Sequence, residues 1–317
     1  MSELEVFGAR CLDLLSDAAI VTVLGHLREQ PMSAVDIQKA GTGLGSRVAL
    51  ARLQTLLALG AVDLAEGRAS DSRSLRRAPH RLLTSGHALQ SVIDVAVDCE
   101  AEWPIEPKPS WLRGSDALAV TADRPSIAIA RALAYEGLRL SDLQLRLPDV
   151  SHGTLERRLR ERAAQGLINS DRVGREARHS LTDLARRLAT VALHAARWEW
   201  GFGDRDKGVL ASDLAGLIYQ IGPLIRLPEQ LSGLCLLHED WHTTLQSDVY
   251  LVVGAGRLTA LPVPPRELPD CSGHGTPQQW VQALATGDST NVLSTGDQVL
   301  LEAVIAGLHH QLSIRRC

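Results

Sequence analysis

The chain has 317 residues, room for two or three domains of about 100–200 residues each, and 45% of them are hydrophobic, which supplies cores and excludes an intrinsically disordered protein. Its 33 Lys and Arg stand against 37 Asp and Glu, a net charge of −4, so a uniformly basic nucleic-acid coat is excluded. No apolar run approaches the ~18–20 residues that span a bilayer, and the stretch from Met1 to Arg10 carries Glu3 and Glu5 in place of a basic leader, so the expectation is a cytoplasmic protein without membrane contact.

The predicted elements begin with an apolar-periodic helix over Ala18 to Arg28, broken by Pro31. A short helix capped by Ser33 follows, then a glycine-rich turn, Gly41 to Ser46, and a third helix that ends at Gly60. Ala61-Val62 opens a strand, Glu66 to Arg81 reads as an arginine-rich hairpin, and Leu83-Thr84 ends a second strand before a closing helix. The series then recurs. Shifted by 106 residues, Asp17 falls on Asp123, Val23 on Ile129, Leu27 on Leu133, Leu53 on Leu159, and Gly60-Ala61-Val62 on Gly166-Leu167-Ile168. The first copy then holds eight extra residues, and Leu83-Thr84 falls on Leu181-Thr182 at a shift of 98. In the second copy the helices run over Ser126 to Tyr135, from Ser141, and over His152 to Gln165 with Ser151 as cap. Helix, helix, helix, strand, wing, strand, helix is the order of a winged helix-turn-helix.

The second copy, from Leu143 through Pro148-Asp149-Val150-Ser151, Thr154-Leu155-Glu156-Arg157-Arg158-Leu159, Gly166-Leu167-Ile168 and Leu181-Thr182, resembles the HxlR branch of the MarR-like winged-helix transcription regulators. The first copy departs from that pattern in its turn, which lacks Pro, and in its longer wing. A recognition helix needs cations and polar groups on one face to reach base edges and phosphates. The candidates are Ser46, Arg47 and Arg52 with the wing residues Arg68, Arg73, Arg76 and Arg77 in the first copy; Ser151, His152, Thr154, Arg157, Arg158 and Arg162 on the second copy's third helix; and Arg172, Arg175, Arg178 and His179 in its wing.

Residues 201–317 differ in character. They carry seven basic and twelve acidic residues, whereas residues 1–200 carry 26 and 25. A helix is predicted over Asp213 to Ile225, strands at Thr243 to Gln246 and Asp248 to Val253, a turn at Gly254 to Arg257 into Leu258 to Ala260, and helices over Pro277 to Thr286 and Asp297 to Leu312. Val252 to Leu258, Thr276-Pro277 with Trp280, Ala283, Leu284 and Gly287, and Gly296-Asp297 with Leu300-Leu301 resemble the sterol-carrier-protein type 2 domain, which implies an apolar ligand cavity.

Six of the eleven aromatic residues are Trp, and four of those follow the two copies closely. Trp103, Trp111, His194, Trp198, Trp200, Phe202 and Tyr219 are therefore the candidates for stacking a flat ligand. His238-Glu239-Asp240-Trp241-His242 has the H-E-x-x-H form, but the charged Asp240 and the absence of a third ligand make zinc hydrolysis a remote alternative. Five dispersed cysteines read as reduced thiols.

The expectation is an α+β protein with two tandem winged helix-turn-helix domains, 1–105 and 106–200, and a sterol-carrier-like domain, 201–317. It is a non-enzymatic regulator with no cofactor and no metal. It binds double-stranded DNA as a one-chain pseudo-dimer or as a homodimer and responds to a small hydrophobic or aromatic molecule, such as a secondary metabolite or antibiotic. A metabolite-sequestering resistance protein on the same scaffold is the alternative.

Overall fold

The computed structural model describes residues 9–65, 72–103, 114–173, 176–203, 214–239, 247–261 and 263–313. The first region opens with α1 (Ala9–Leu15) and α2 (Ala18–Leu27), whose N-terminus is capped by the Asp17 carboxylate accepting from the Ala19 N–H at 2.9 Å. Next is α3 (Ala34–Lys39), closed by a reciprocal Ser33–Asp36 capping box. Then come α4 (Ser46–Ala58), β1 (Val62–Leu64), α5 (Ser72–Arg77), β2 (His80–Leu82) and α6 (Thr84–Glu100).

The second region repeats the order. It consists of α7 (Ser115–Ala122), α8 (Arg124–Ala132), β3 (Leu138–Arg139), α9 (Leu140–Arg146), α10 (His152–Ala164), β4 (Ile168–Val173), β5 (Glu176–Leu181), α11 (Asp183–Arg187) and α12 (Ala189–Phe202). Asp123 caps α8 as Asp17 caps α2, and the Asp142 carboxylate accepts from Arg139 N–H as Asp36 does from Ser33. Arg139, not Ser141, is thus the cap position of α9. Gly60 and Gly166 both end the third helix at positive φ, +65° and +71°, a conformation that disfavours any side chain. Val62 pairs with Leu82 and Ile168 with Leu181, so the shift after the hairpin is 99 rather than 98 and the first region has seven extra residues rather than eight.

The two regions differ at the wing. In the second, β4 and β5 pair over six positions, with β3 on the other side of β5. In the first, β1 and β2 pair over only three, and the described part of the stretch expected to be a hairpin, 72–81, holds α5 and the first residues of β2. Next to β2, the Pro79 carbonyl accepts from Ala65 N–H at 2.8 Å, but Pro79 has no N–H to return.

Corresponding helices pack on each other: α1 on α7, and α6 on α12. The hydrogen bonds across this contact correspond too. Cys11 N–H donates to Glu199 Oε1 at 2.8 Å, and at the matching place Asp116 and Ala117 N–H donate to Glu100 Oε2 at 3.0 and 3.4 Å. This is the reciprocity of a two-fold interface, formed within one chain. One continuous apolar core runs from Cys11 to Trp198 through both regions.

A second core holds the remainder. Here α13 (Leu214–Ile221) and a 3₁₀ turn (Gly222–Leu224) lead to β6 (Gly233–Glu239), β7 (Ser247–Gly254), β8 (Arg257–Leu261), β9 (Cys271–Gly275), α14 (Pro277–Thr286), β10 (Leu293–Gly296) and α15 (Gln298–Ser313). The sheet order is β10-β9-β6-β7-β8, antiparallel except for the parallel β6–β9 pair. Trp280 is fully buried between α14 and the sheet, and its Nε1 donates to His238 O at 2.9 Å.

The described part of the H-E-x-x-H stretch is strand, not helix. His238 and Glu239 end strand β6, where alternation sends them to opposite faces, Glu239 inward at 1% exposure. Residues 240–246, including His242, lie outside the described residues, as does the strand expected at 243–246. Among the described residues no group of three or more His, Cys, Asp or Glu is placed to hold a metal ion. Among the described residues no helix is long and apolar enough to cross a membrane. Cys11, Cys235 and Cys271 are free thiols.

Candidate nucleic-acid interface

Helix α10 begins at Ser151, whose Oγ accepts from Thr154 N–H at 3.3 Å and lies 2.9 Å from Thr154 Oγ1. Both hydroxyls are therefore tied to the cap. Leu155 and Leu159 anchor the helix in the core, and the 3.6-residue period carries Arg158 and Arg162 to that same inner side. Arg158 Nη2 pairs with Asp123 Oδ1 and Nη1 with Glu161 Oε2, each at 2.7 Å. Arg162 is 9% exposed; its Nε donates to Ser126 Oγ at 2.9 Å and its Nη1 to Gln165 Oε1 at 2.6 Å. These two arginines, counted as DNA contacts in the sequence, hold α10 to the start of α8. Hydrogen bonding from Arg158 keeps the Glu161 carboxyl below its usual range.

The outward face carries His152, Glu156, Arg157 and Arg160. Arg157 is 57% exposed at its side chain and reaches Glu161 only at 3.7 Å. Arg160 makes no ion pair among the described residues. It was missed in the sequence, yet the spacing His152, Glu156, Arg160 opposite Leu155 and Leu159 marks it as outward. A groove runs between this face and the wing, lined by Arg139, Ser141, His152, Glu156, Arg160 and His179 together with Leu140, Leu159, Ala163 and Ala177. Ser170 Oγ bonds His179 Nδ1 at 2.9 Å across the wing, and burial lowers that imidazole's pKa. Arg178 is exposed on β5; the side chain of Arg172 and residue Arg175 lie outside what is described.

The first region is built alike and charged differently. Arg52 Nε pairs with Asp17 Oδ2 at 2.7 Å, the counterpart of Arg158 with Asp123. Ser46 starts α4 and Arg47 is exposed, but the rest of that face is Val48, Ala51, Gln54, Thr55 and Ala58. Arg76 and Arg77 sit in the last turn of α5, not on a hairpin; Arg68 and the side chain of Arg73 lie outside the described residues.

The aromatic candidates do not converge. Trp103 is buried, and Trp198 is buried with its Nε1 donating to Ser85 O at 2.9 Å and its ring 6.5 Å from Phe202. Tyr219 stacks on Tyr135 at 4.0 Å and donates to Leu261 O at 3.3 Å. His194 Nδ1 bonds Thr190 O at 2.9 Å, Trp200 is half-buried, and Trp111 lies outside the described residues. Packing at helix junctions uses these rings. An apolar cavity does exist nearby, between α7, α8, α10, α11, α12 and α13, and none of the six described candidates lines it.

Residues 120–207 match the family model of the HxlR-like helix-turn-helix, a stretch that holds α8 to α12. No curated protein and no solved structure matches the chain.

Proposed function

We propose that the protein is a DNA-binding transcription regulator. Residues 1–105 and 106–200 are two winged helix-turn-helix domains joined as a pseudo-dimer, residues 201–317 are a sterol-carrier-like α+β domain, and a small hydrophobic molecule tunes DNA binding. One observation carries the reading: the HxlR-like match falls on the segment where α10 turns Arg157 and Arg160 outward beside a two-stranded wing. The shared element order and the reciprocal Glu100 and Glu199 contacts support the pseudo-dimer. In this reading α10 is the principal reader and α4, with Arg47 as its exposed cation, a weaker one.

The test is retardation of DNA from upstream of the protein's own gene at several salt concentrations. Arg157→Ala with Arg160→Ala is expected to weaken binding about tenfold or more and to lower the salt slope by about 2, one for each lost phosphate contact. Unchanged affinity in the folded variant removes α10 as the reader. Arg158→Ala is expected to act through stability instead.

A further inference from the structure

The cavity behind α10 is half open to solvent and holds about 90 Å³ of water-accessible space. Its origin is visible when the two regions are laid over each other. Where the first region has Leu15, Leu24 and Ile93, all buried, the second has Thr121, Ala130 and Ala192, all lining the cavity. Where the first has Ile20 and Leu56, 1% and 0% exposed, the second has Ser126 and Arg162. Five large apolar side chains are thus replaced by three smaller ones and a hydrogen-bonded polar pair, and the volume is not refilled. The open side is roofed by Gly216, Leu217 and Gln220 of α13, which lies beyond the HxlR-like match; Gln220 Nε2 fixes it by donating to Ala185 O at 2.8 Å. A concave, mainly apolar site with a few placed polar groups is the usual form of a small-molecule site.

The wall also says what fits. It is mainly apolar, with Val120, Ile127, Ile129, Leu167, Leu188 and Leu217 around it. Two cations line it, Arg131, which has an interaction of its own, and Arg162, whose Nη2 is left with only the 3.7 Å approach to Asp123 Oδ2. Asp123 already faces the charge of Arg162, so at Arg162 the site offers a hydrogen-bond donor to an acceptor. We infer that the cavity is a binding site for an uncharged, largely apolar molecule bearing one carbonyl-type acceptor, which hydrogen-bonds Arg162. Since Arg162 is part of α10, occupancy bears on the reading helix directly. That regulatory consequence rests on the function proposed above; the binding site does not.

Nile red, uncharged, polycyclic and carrying a carbonyl, is the probe, titrated against the full chain by fluorescence. Saturable one-to-one binding is expected, weakened about tenfold or more in Ala130→Leu with Ala192→Ile, the residues the first region carries. Circular dichroism establishes that the variant folds, and should it not, Ala192→Ile alone is used. Absence of saturable binding in the parent chain, or unchanged affinity in a folded filled variant, overturns the site. Equally tight binding of the anionic dye 8-anilinonaphthalene-1-sulfonate overturns the uncharged class. DNA retardation of the same dye-free samples is scored apart. If DNA binding is missing while Nile red binding follows expectation, the regulator reading fails and the site stands; the reverse result removes the site alone.

Discussion

The two winged regions share a skeleton and differ in what covers it. Asp17 and Asp123 each cap the first helix and hold an arginine of the third, Arg52 or Arg158. Around that common joint the first region is filled with Ile20, Leu24 and Leu56 and presents a nearly uncharged α4 face. The second is hollow behind α10 and presents Arg157, Arg160 and a wing. The like frames thus differ in what they carry: one region supplies a solid half of the two-fold contact, and the other carries a cavity and an exposed charged face.

The largest way to break this contrast is to give the first region the hole of the second. Leu24→Ala and Ile93→Ala delete fully packed side chains, and each is expected to cost about 2–5 kcal/mol in urea denaturation. The reciprocal change, Ala130→Leu with Ala192→Ile, is expected to stabilise by about 1 kcal/mol, because it fills space already present. A cost from that double variant would mean that the cavity walls cannot accept the first region's residues.

The shared joint can be sharpened next. Asp123 supports two arginines and the Ser126 cap, one of those arginines nearly buried, so Asp123→Ala is expected to cost about 3 kcal/mol. Asp17 supports one half-exposed arginine and one cap bond, and Asp17→Ala is expected to cost about 1 kcal/mol. Equal losses would show that Arg162 draws no stability from Asp123.

The skeleton was legible because its marks are local. Capping carboxylates, helix-ending glycines and leucines at helical spacing announce themselves within a few residues, which is why Asp17 with Asp123 and Gly60 with Gly166 align from sequence. Three strands of the last sheet were not seen. The β6–β9 pairing joins Cys235 to Cys271 in parallel, and nothing near either residue encodes it. The inward turn of Arg158 and Arg162 was legible in principle from Leu155 and Leu159, but charge was read ahead of period. The cavity was not legible, because it consists of side chains that are too small only in comparison with packed neighbours.

The smallest expected effect tests the two-fold contact itself. Glu199 accepts from Cys11 N–H where Glu100 accepts from α7, and burial pushes the Glu199 carboxyl above its ordinary value of 4.5 despite that hydrogen bond. A raised carboxyl binds more protons in the folded state than in the unfolded chain, so this group favours folding at low pH. Its contribution is whole below 4.5, declines as pH climbs from there through the raised folded value, and is gone above it. Glu199→Gln keeps an acceptor for Cys11 and removes the charge. Urea midpoints taken from about pH 4 to pH 7 should therefore fall less steeply in the variant than in the parent chain. Parallel profiles would mean that water reaches Glu199 and that the contact is looser at this end than its 2.8 Å hydrogen bond implies.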